Sequence, residues 1–489
     1  MPSFDEASDQ DGANARKSVV VVGAGLSGLY AAQILKNKLG LDDVIVVEAS
    51  EGIGGRVKEV NGLVPWSLQL GPEFIHGKDN SVLMKLIDEW GWNTRELEWP
   101  DKYYFADTKT SCGSEDETRD VEIVHEFFDN ILEHEEEEED ADQKKGKGKV
   151  NIKELLLRNG ATKKQVEIAE VCYANDFGTS LNKLGLAEMK QEKLHWSYGE
   201  KYLVLDRPLS CVIDKLSEGV QILTNWQVKR VEYTSSVARG TDLFLANTTK
   251  DRRCRVVNQN GQSIKCCAVL LTVPLTILQD KDIHFSPPLP LEKELAISRI
   301  GMSTASKIFL IFKYQFWSER FWDACCPFGF LPEIWALRYP KANAASTAAD
   351  GTQEEDSTKV AVVGFVAGDR AVEMSGMSEE DIVASSLRQL DDMFSSVMDP
   401  KPASKAYHSC YIKHWSDEPF IRGAYTYPGL ADIGDRSLLS KPVGGLFFAG
   451  EATHKGLNPC MQGALETAER AVGEIWKTFD MRRGKMSKL

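Results

Sequence analysis

An α/β fold built around a Rossmann-type dinucleotide-binding domain is predicted for this 489-residue chain by three observations. An apolar strand, Ser18–Val22, runs straight into glycines spaced Gly23-x-Gly25-x-x-Gly28. An amphipathic helix follows them. A second apolar strand, Val44–Val47, then ends in an acid, Glu48. Strand, turn, helix, strand and acid in this order form a βαβ unit of about 30 residues, the usual size of a parallel crossover.

Each part has a physical reason. A continuous Val run suits a strand buried on both faces. The first glycine permits the tight strand-to-helix turn, the second lets backbone approach a pyrophosphate, and the third lets helix and strand pack. Leu26 and Ser27 open the helix, whose N-terminal dipole favours the ligand's negative charge. Leu26, Leu29, Tyr30, Ile34 and Leu35 fall near one face. Glu48, with Ala49 behind it, stands where a carboxylate takes ribose hydroxyls. Gly54-Gly55-Arg56 follows; a paired glycine and a cation suit a second part of a larger dinucleotide, and on their own also suit a surface turn.

Further along, an amphipathic helix is predicted over Ser81–Trp90. Strands are predicted over 221–233, over 264–274 up to Pro274, and over 307–312, 359–368 and 444–453, the last breaking at Gly450. A helix begins near Met461. Residues 133–150, with an acidic run and then lysines, and residues 342–359 read as flexible surface insertions. Residues 1–16 are polar and read as a disordered tail rather than a secretory signal.

Hydrophobic residues at 42% and charged residues at 27% indicate a soluble globular chain. No apolar run approaches the roughly 20 residues needed for membrane insertion. The net charge of -15 argues against a nucleic-acid partner and mildly favours a cationic substrate. Ten cysteines without CxxC or Cys/His spacing read as reduced intracellular thiols, with no metal site.

Taken together, GAGLSG…E…GIGGRV, KIFLIF and LFFAGEATHKGLNPCMQGALETAERA resemble the flavin amine oxidase superfamily, which includes polyamine, monoamine and L-amino-acid oxidases and histone lysine demethylases. The resemblance implies a discontinuous Rossmann-type FAD-binding domain (17–92, 205–290 and 440–480). An α+β substrate-binding domain (93–204 and 291–439) meets it at the flavin. Residues 481–489 are expected, on the separate ground of their last three residues, to be a targeting tail.

What the resemblance implies for single residues is specific. Gly55, Arg56, Gly71, Pro72 and Glu73 join the glycine-rich turn in holding FAD. Val228 matches the residue whose backbone meets the adenine. Glu451, after Gly450, matches the acid near the ribityl and phosphate portion, with Cys460 and Met461 beyond it. Lys307 matches the lysine that holds a water near flavin N5. Trp415 matches an aromatic packed near the isoalloxazine, and Tyr425 one wall of an aromatic cage. His76 matches a polar channel position of polyamine oxidases. Cys460 replaces the second, usually aromatic, cage wall. Ala424 stands where monoamine oxidases carry their flavin-linking cysteine, so FAD is expected to be non-covalent.

The substrate expected is a small cationic amine, of the spermine or spermidine type. GPEFIHG lacks the carboxylate-anchoring arginine of L-amino-acid oxidases and carries Glu73 and His76 instead; Glu73 or Asp176 is a candidate partner for the cation. QGALETAERA looks closer to monoamine and amino-acid oxidases, which keeps those alternatives open, as is a non-catalytic flavin-binding scaffold. A flavin enzyme using NADPH would need a second GxGxxG, which is absent. The expected chemistry is hydride transfer from the amine α-carbon to flavin N5, iminium hydrolysis, and reduction of O2 to hydrogen peroxide. Ser487-Lys488-Leu489, behind Arg482, Arg483 and Lys485, reads as the address bound by the peroxisomal import receptor, giving an expected location in the peroxisome.

Overall fold

The computed structural model describes residues 17–97, 102–113, 118–133, 150–234, 254–336, 358–456 and 459–486. The predicted N-terminal tail, nearly all of both predicted insertions and Ser487-Lys488-Leu489 lie outside them.

Two large sheets organise the chain. The first has eight strands. Its parallel part sets Ile222–Leu223, Val44–Val47, Lys17–Val22 and Ser263–Leu271 side by side, and Leu446–Phe448 also pairs in parallel with Ser263–Leu271. Cys254–Asn258, Val228–Tyr233 and His284–Ser286 extend it to the far edge. The run KSVVVV is apolar throughout because both faces are covered. Val19 and Val21 pack under the helices Leu26–Gln33 and Met461–Met486, while Val20 and Val22 pack with Trp226, Leu275 and Leu439. Leu29, fully buried on the first face, is a position where truncation to Ala costs about 2–5 kcal/mol.

The stretch 221–233, expected as one strand, is two. Ile222–Leu223 pairs with Val44–Val47, whereas Val228–Tyr233 pairs with Cys254–Asn258 several strands away. Asn225 between them sits at φ 53°, and Asn is among the few residues that tolerate the left-handed region. Asn225 and Trp226 donate their amides to the Ser50 and Glu48 carbonyls, which carries the chain past the end of Val44–Val47.

The second sheet has seven strands, in the order Tyr407–His414, Ala305–Phe312, Val360–Ala367, Glu333–Trp335, Asp323–Cys325, Lys102–Phe105 and Thr110–Gly113. All eight residues of Ala305–Phe312 are buried, since the strand has a neighbour on each side and cover on both faces. Helices Arg119–Glu133, Ile152–Arg158 and Lys163–Ala169 pack a separate core around Tyr103 and Phe105. A small three-stranded sheet, Ile75–His76, Tyr202–Leu205 and Thr94–Leu97, bridges the region between the large sheets. Among the described residues no helix is long and apolar enough to cross a membrane, and no group of His, Cys, Asp or Glu could hold a metal ion.

Candidate active site

A cavity of about 580 Å³ runs from the glycine-rich turn of the first sheet to one face of the second. At its first end Gly23 adopts φ +108°, and its amide donates to the Val47 carbonyl at 2.8 Å. Gly25 pairs with Gly54, whose amide donates to the Ala24 carbonyl at 2.8 Å. The paired-glycine turn therefore lies against the glycine-rich turn rather than apart on the surface. Gly54 and Gly55 both have positive φ, which explains why glycines stand there. Gly28 is the one candidate cofactor residue off the cavity wall. A Cβ there would stand 2.0 Å from the Gly23 carbonyl oxygen, so its smallness serves helix-on-strand packing.

Glu48 is held flat at this end. Its Oε2 accepts from the Ala24 amide at 2.8 Å, and Oε1 accepts from the Ser50 amide and hydroxyl at 2.9 and 2.8 Å. Ala49 and Val228 stand on the wall beside it. Leu26 and Ser27 line the wall where the helix begins, and the buried Ser27 hydroxyl has no hydrogen-bond partner.

In the middle of the cavity Arg56 crosses to the C-terminal segment. Its Nη1 donates to Glu451 Oε1 and to the Ala424 carbonyl, both at 2.8 Å. Glu451 Oε2 accepts from the Thr426 hydroxyl at 2.6 Å, so a carboxylate only 3% exposed is fully engaged. Gly450 precedes it at φ +109°. Gly71 must be glycine because a Cβ would stand 1.9 Å from the Arg56 carbonyl oxygen. Pro72 and Met461 line the same stretch, and Trp415, buried, donates Nε1 to the Leu70 carbonyl at 3.0 Å.

At the far end the second sheet presents one row of side chains across its strands. Lys307 is in register with Phe365, and Phe365 with Glu333. Lys307 Nζ donates to the Gln69 carbonyl at 3.0 Å and to Glu73 Oε2 at 3.2 Å, and Trp335 Nε1 donates to the same oxygen at 2.9 Å. Burial pulls the Lys307 pKa down, opposed by Glu73 and Glu333. Tyr425 donates its hydroxyl to the Asp176 carbonyl at 2.9 Å, and its ring leaves no room for a Cβ at Gly178. His76 meets Tyr202 edge to face at 4.9 Å; burial lowers its pKa to about 4, so the imidazole is neutral at pH 7. Burial pushes the Cys460 thiol up, so it stands in the cavity as a neutral group.

Besides Glu73, three more acids line this end. Asp176, whose side chain is open to the cavity, is raised to about 6 by desolvation between the surrounding walls. Burial and the nearby Asp176 raise Glu192 to about 7. Glu333 is raised well above the carboxylate range by burial, Asp176 and Asp323. Sequence reasoning did not single out Glu192, Glu333, Tyr202, Trp335 or Phe365. Glu333 carried a signal, an acid inside the apolar stretch FLPEIWAL. Glu192 carried none, because its helix is polar along most of its length.

The cavity fits FAD in its donors and shape: an unpartnered hydroxyl at a helix N-terminus, a fixed acid one strand away, and an arginine–glutamate pair between them and the second sheet. When bound, FAD would supply the acceptor for a hydride, that is, two electrons and one proton.

Residues 26–476 match the family described as flavin-containing amine oxidoreductase. Lysine-specific histone demethylase 1B of Mus musculus is 26% identical over 94% of this chain and 53% of its own length. The flavin-containing amine oxidase B of Sus scrofa is 24% identical over 94% of this chain and 86% of its own. The chain spans about half the length of that demethylase. Among solved structures, putrescine oxidase bound to putrescine superposes with TM-score 0.72 at 19% identity, over 95% of this chain and 99% of that one. Cyclohexylamine oxidase from Brevibacterium oxydans IH-35A superposes with TM-score 0.72 at 18% identity, over 95% of this chain and 100% of that one, so both share its fold. From the match over 26–476 and the cavity that suits FAD, the chain belongs to the flavin-containing amine oxidoreductases.

Proposed function

We propose that the chain is a polyamine oxidase, acting on a C–N bond of a spermine- or spermidine-type amine. The observation that carries this reading is the charge of the cavity. Asp176, Glu192 and Glu333 line its far end, while its lysines and arginine are each paired with an acid: Arg56 with Glu451, Lys58 with Glu418, and Lys307 with Glu73. A substrate carboxylate finds no unpaired cation there, so an L-amino acid fits poorly. A substrate with several amines fits well, because a second ammonium restores charge to acids that burial has pushed towards protonation.

In this reading Lys307, Trp415 and Tyr425 face the reacting centre, and His76 and Cys460 line the substrate channel. The aromatic wall missing at Cys460 is supplied by Tyr202, Trp335 and Phe365, all on the cavity surface. A neutral His76 leaves the acids uncontested as cation partners. The reaction balances as R–CH2–NH–R′ plus O2 plus H2O giving R–CHO, R′–NH2 and H2O2.

A peroxide-release screen tests this, with spermine, spermidine, their N-acetylated forms, monoamines, L-amino acids and a methyl-lysine peptide. The expected result is the highest kcat/KM on a polyamine. Turnover confined to monoamines, amino acids or the peptide would overturn it.

A further inference from the structure

Glu73 lines the cavity yet is only 6% exposed, and what surrounds its carboxylate points away from substrate. Oε2 receives two donors, Lys307 Nζ at 3.2 Å and Trp335 Nε1 at 2.9 Å. Lys307 Nζ has a further acceptor, the Gln69 carbonyl at 3.0 Å, from the same turn that carries Glu73. An ammonium has three donors. Two are spent on this turn, and one remains for the cavity whose wall Lys307 forms.

The pair's side chains are 6% and 5% exposed. Either charge alone would be costly at that depth, and each makes the other tolerable. The other groups facing Lys307 do not replace Glu73. Lys413 lies directly opposite it on the Tyr407–His414 strand, a like charge paired with Glu418. Glu333 lies in the same row beyond Phe365, and burial with Asp176 and Asp323 raises its pKa, which weakens it as a charge partner for Lys307. Tyr202 and Tyr425, also on the cavity wall, are phenols that burial keeps neutral.

We propose that Glu73 is a positioning residue for Lys307 rather than a substrate contact: its carboxylate keeps the ammonium charged and turned so that one N–H faces the cavity. Trp335 fixes the carboxylate in turn. The inference rests on the amine-oxidising reading only for where Lys307 acts, since the ion pair is a property of the protein by itself.

The test is a double-mutant cycle in the holoenzyme, with Glu73→Gln, Lys307→Met and the two combined. Two readouts are taken: melting temperature, and the pH profile of reoxidation of the reduced flavin by O2. Each single variant should lower the melting temperature, and the combined variant should lose clearly less than the two losses added. In Glu73→Gln the alkaline limb of the profile should move down by about one pH unit or more, because Lys307 then loses both raising effects of Glu73 and keeps the lowering effect of burial against Glu333 alone. With Lys307→Met added, that limb should vanish. Additive losses of melting temperature would overturn the proposal. So would an alkaline limb that stays in place while KM for the amine rises, which would make Glu73 a substrate contact. If no amine were a substrate, the proposed function would fail while the melting-temperature coupling could still hold, so the two failures are distinguishable.

Discussion

The Arg56 guanidinium meets the Glu451 carboxylate at 2.8 Å, joining residues 395 positions apart across the middle of the cavity. Arg56→Met leaves Glu451 charged, 3% exposed and without its cation. Breaking such a pair costs about 3–5 kcal/mol when fully buried. Arg56 is partly exposed, which puts the expected loss near the lower end. The variant should melt at a lower temperature and lose FAD on gel filtration. Retention of full FAD occupancy and wild-type melting would count against a cofactor role for the pair.

FAD should be released intact from denatured protein. Ala424 offers no side chain to bond the flavin, although its carbonyl is held by Arg56 at 2.8 Å on the cavity wall. After acid precipitation the yellow colour should remain in the supernatant. Colour retained in the washed pellet would mean a covalent link.

Asp176 and Glu192 give polyamine binding a pH dependence of definite sign. Both pKa values are raised, to about 6 and about 7, so both groups gain charge as pH rises through that window. KM for spermine should therefore fall as pH rises from about 5.5 to 7.5, a window that spans those two values. In the absence of substrate, the stability contributed by the protonated forms is fully present only below the ordinary values of 3.8 and 4.5. It is lost as pH rises from there to about 6 and about 7, where the folded state binds more protons than the unfolded one. Asp176→Asn and Glu192→Gln should each flatten the KM profile and raise KM at pH 7.5 by about tenfold or more. A KM independent of pH in the wild type would remove both acids from substrate binding.

Ser487-Lys488-Leu489 is proposed as the peroxisomal address read by the import receptor. An N-terminal fluorescent fusion should be punctate and coincide with catalase, and the same fusion lacking Leu489 should be diffuse. A diffuse signal from the intact fusion, or puncta that survive loss of Leu489, would reject it.

The first half of the cavity was legible in the sequence because its signals are local. Gly23, Gly25 and Glu48 belong to one βαβ unit, and each is required by a backbone turn or a strand end that the sequence makes visible. The far half depends on register between strands distant in the chain. Nothing near Glu333 says that it will share a row with Lys307 through Phe365. Nothing in a polar helix says that Glu192 will face inward while Lys193 and Leu194 remain exposed. The stretch 221–233 misled for the same reason. Its apolar residues read as one strand, and only Asn225 marked the turn that sends its halves to different partners. The helix Arg119–Glu133 went unread because its charges hide the small buried set of Val121, Val124 and Phe128.

The Ser263–Leu271 strand has a further consequence, in the order of events during synthesis. It pairs with Lys17–Val22 on one side and Cys254–Asn258 on the other, and its end receives Leu446–Phe448. The helix beginning at Met461 then closes over Val19, Val21 and Leu29. A nascent chain that has emerged only as far as the second sheet has its glycine-rich turn but not Glu451, nor the helix that covers the fold's first face. Its Rossmann strands must wait with one apolar face open until the helix beginning at Met461 leaves the ribosome. Cofactor capture thereby follows emergence of Glu451 and that helix, and chains cut before Met461 should accumulate as flavin-free, chaperone-bound or aggregated species.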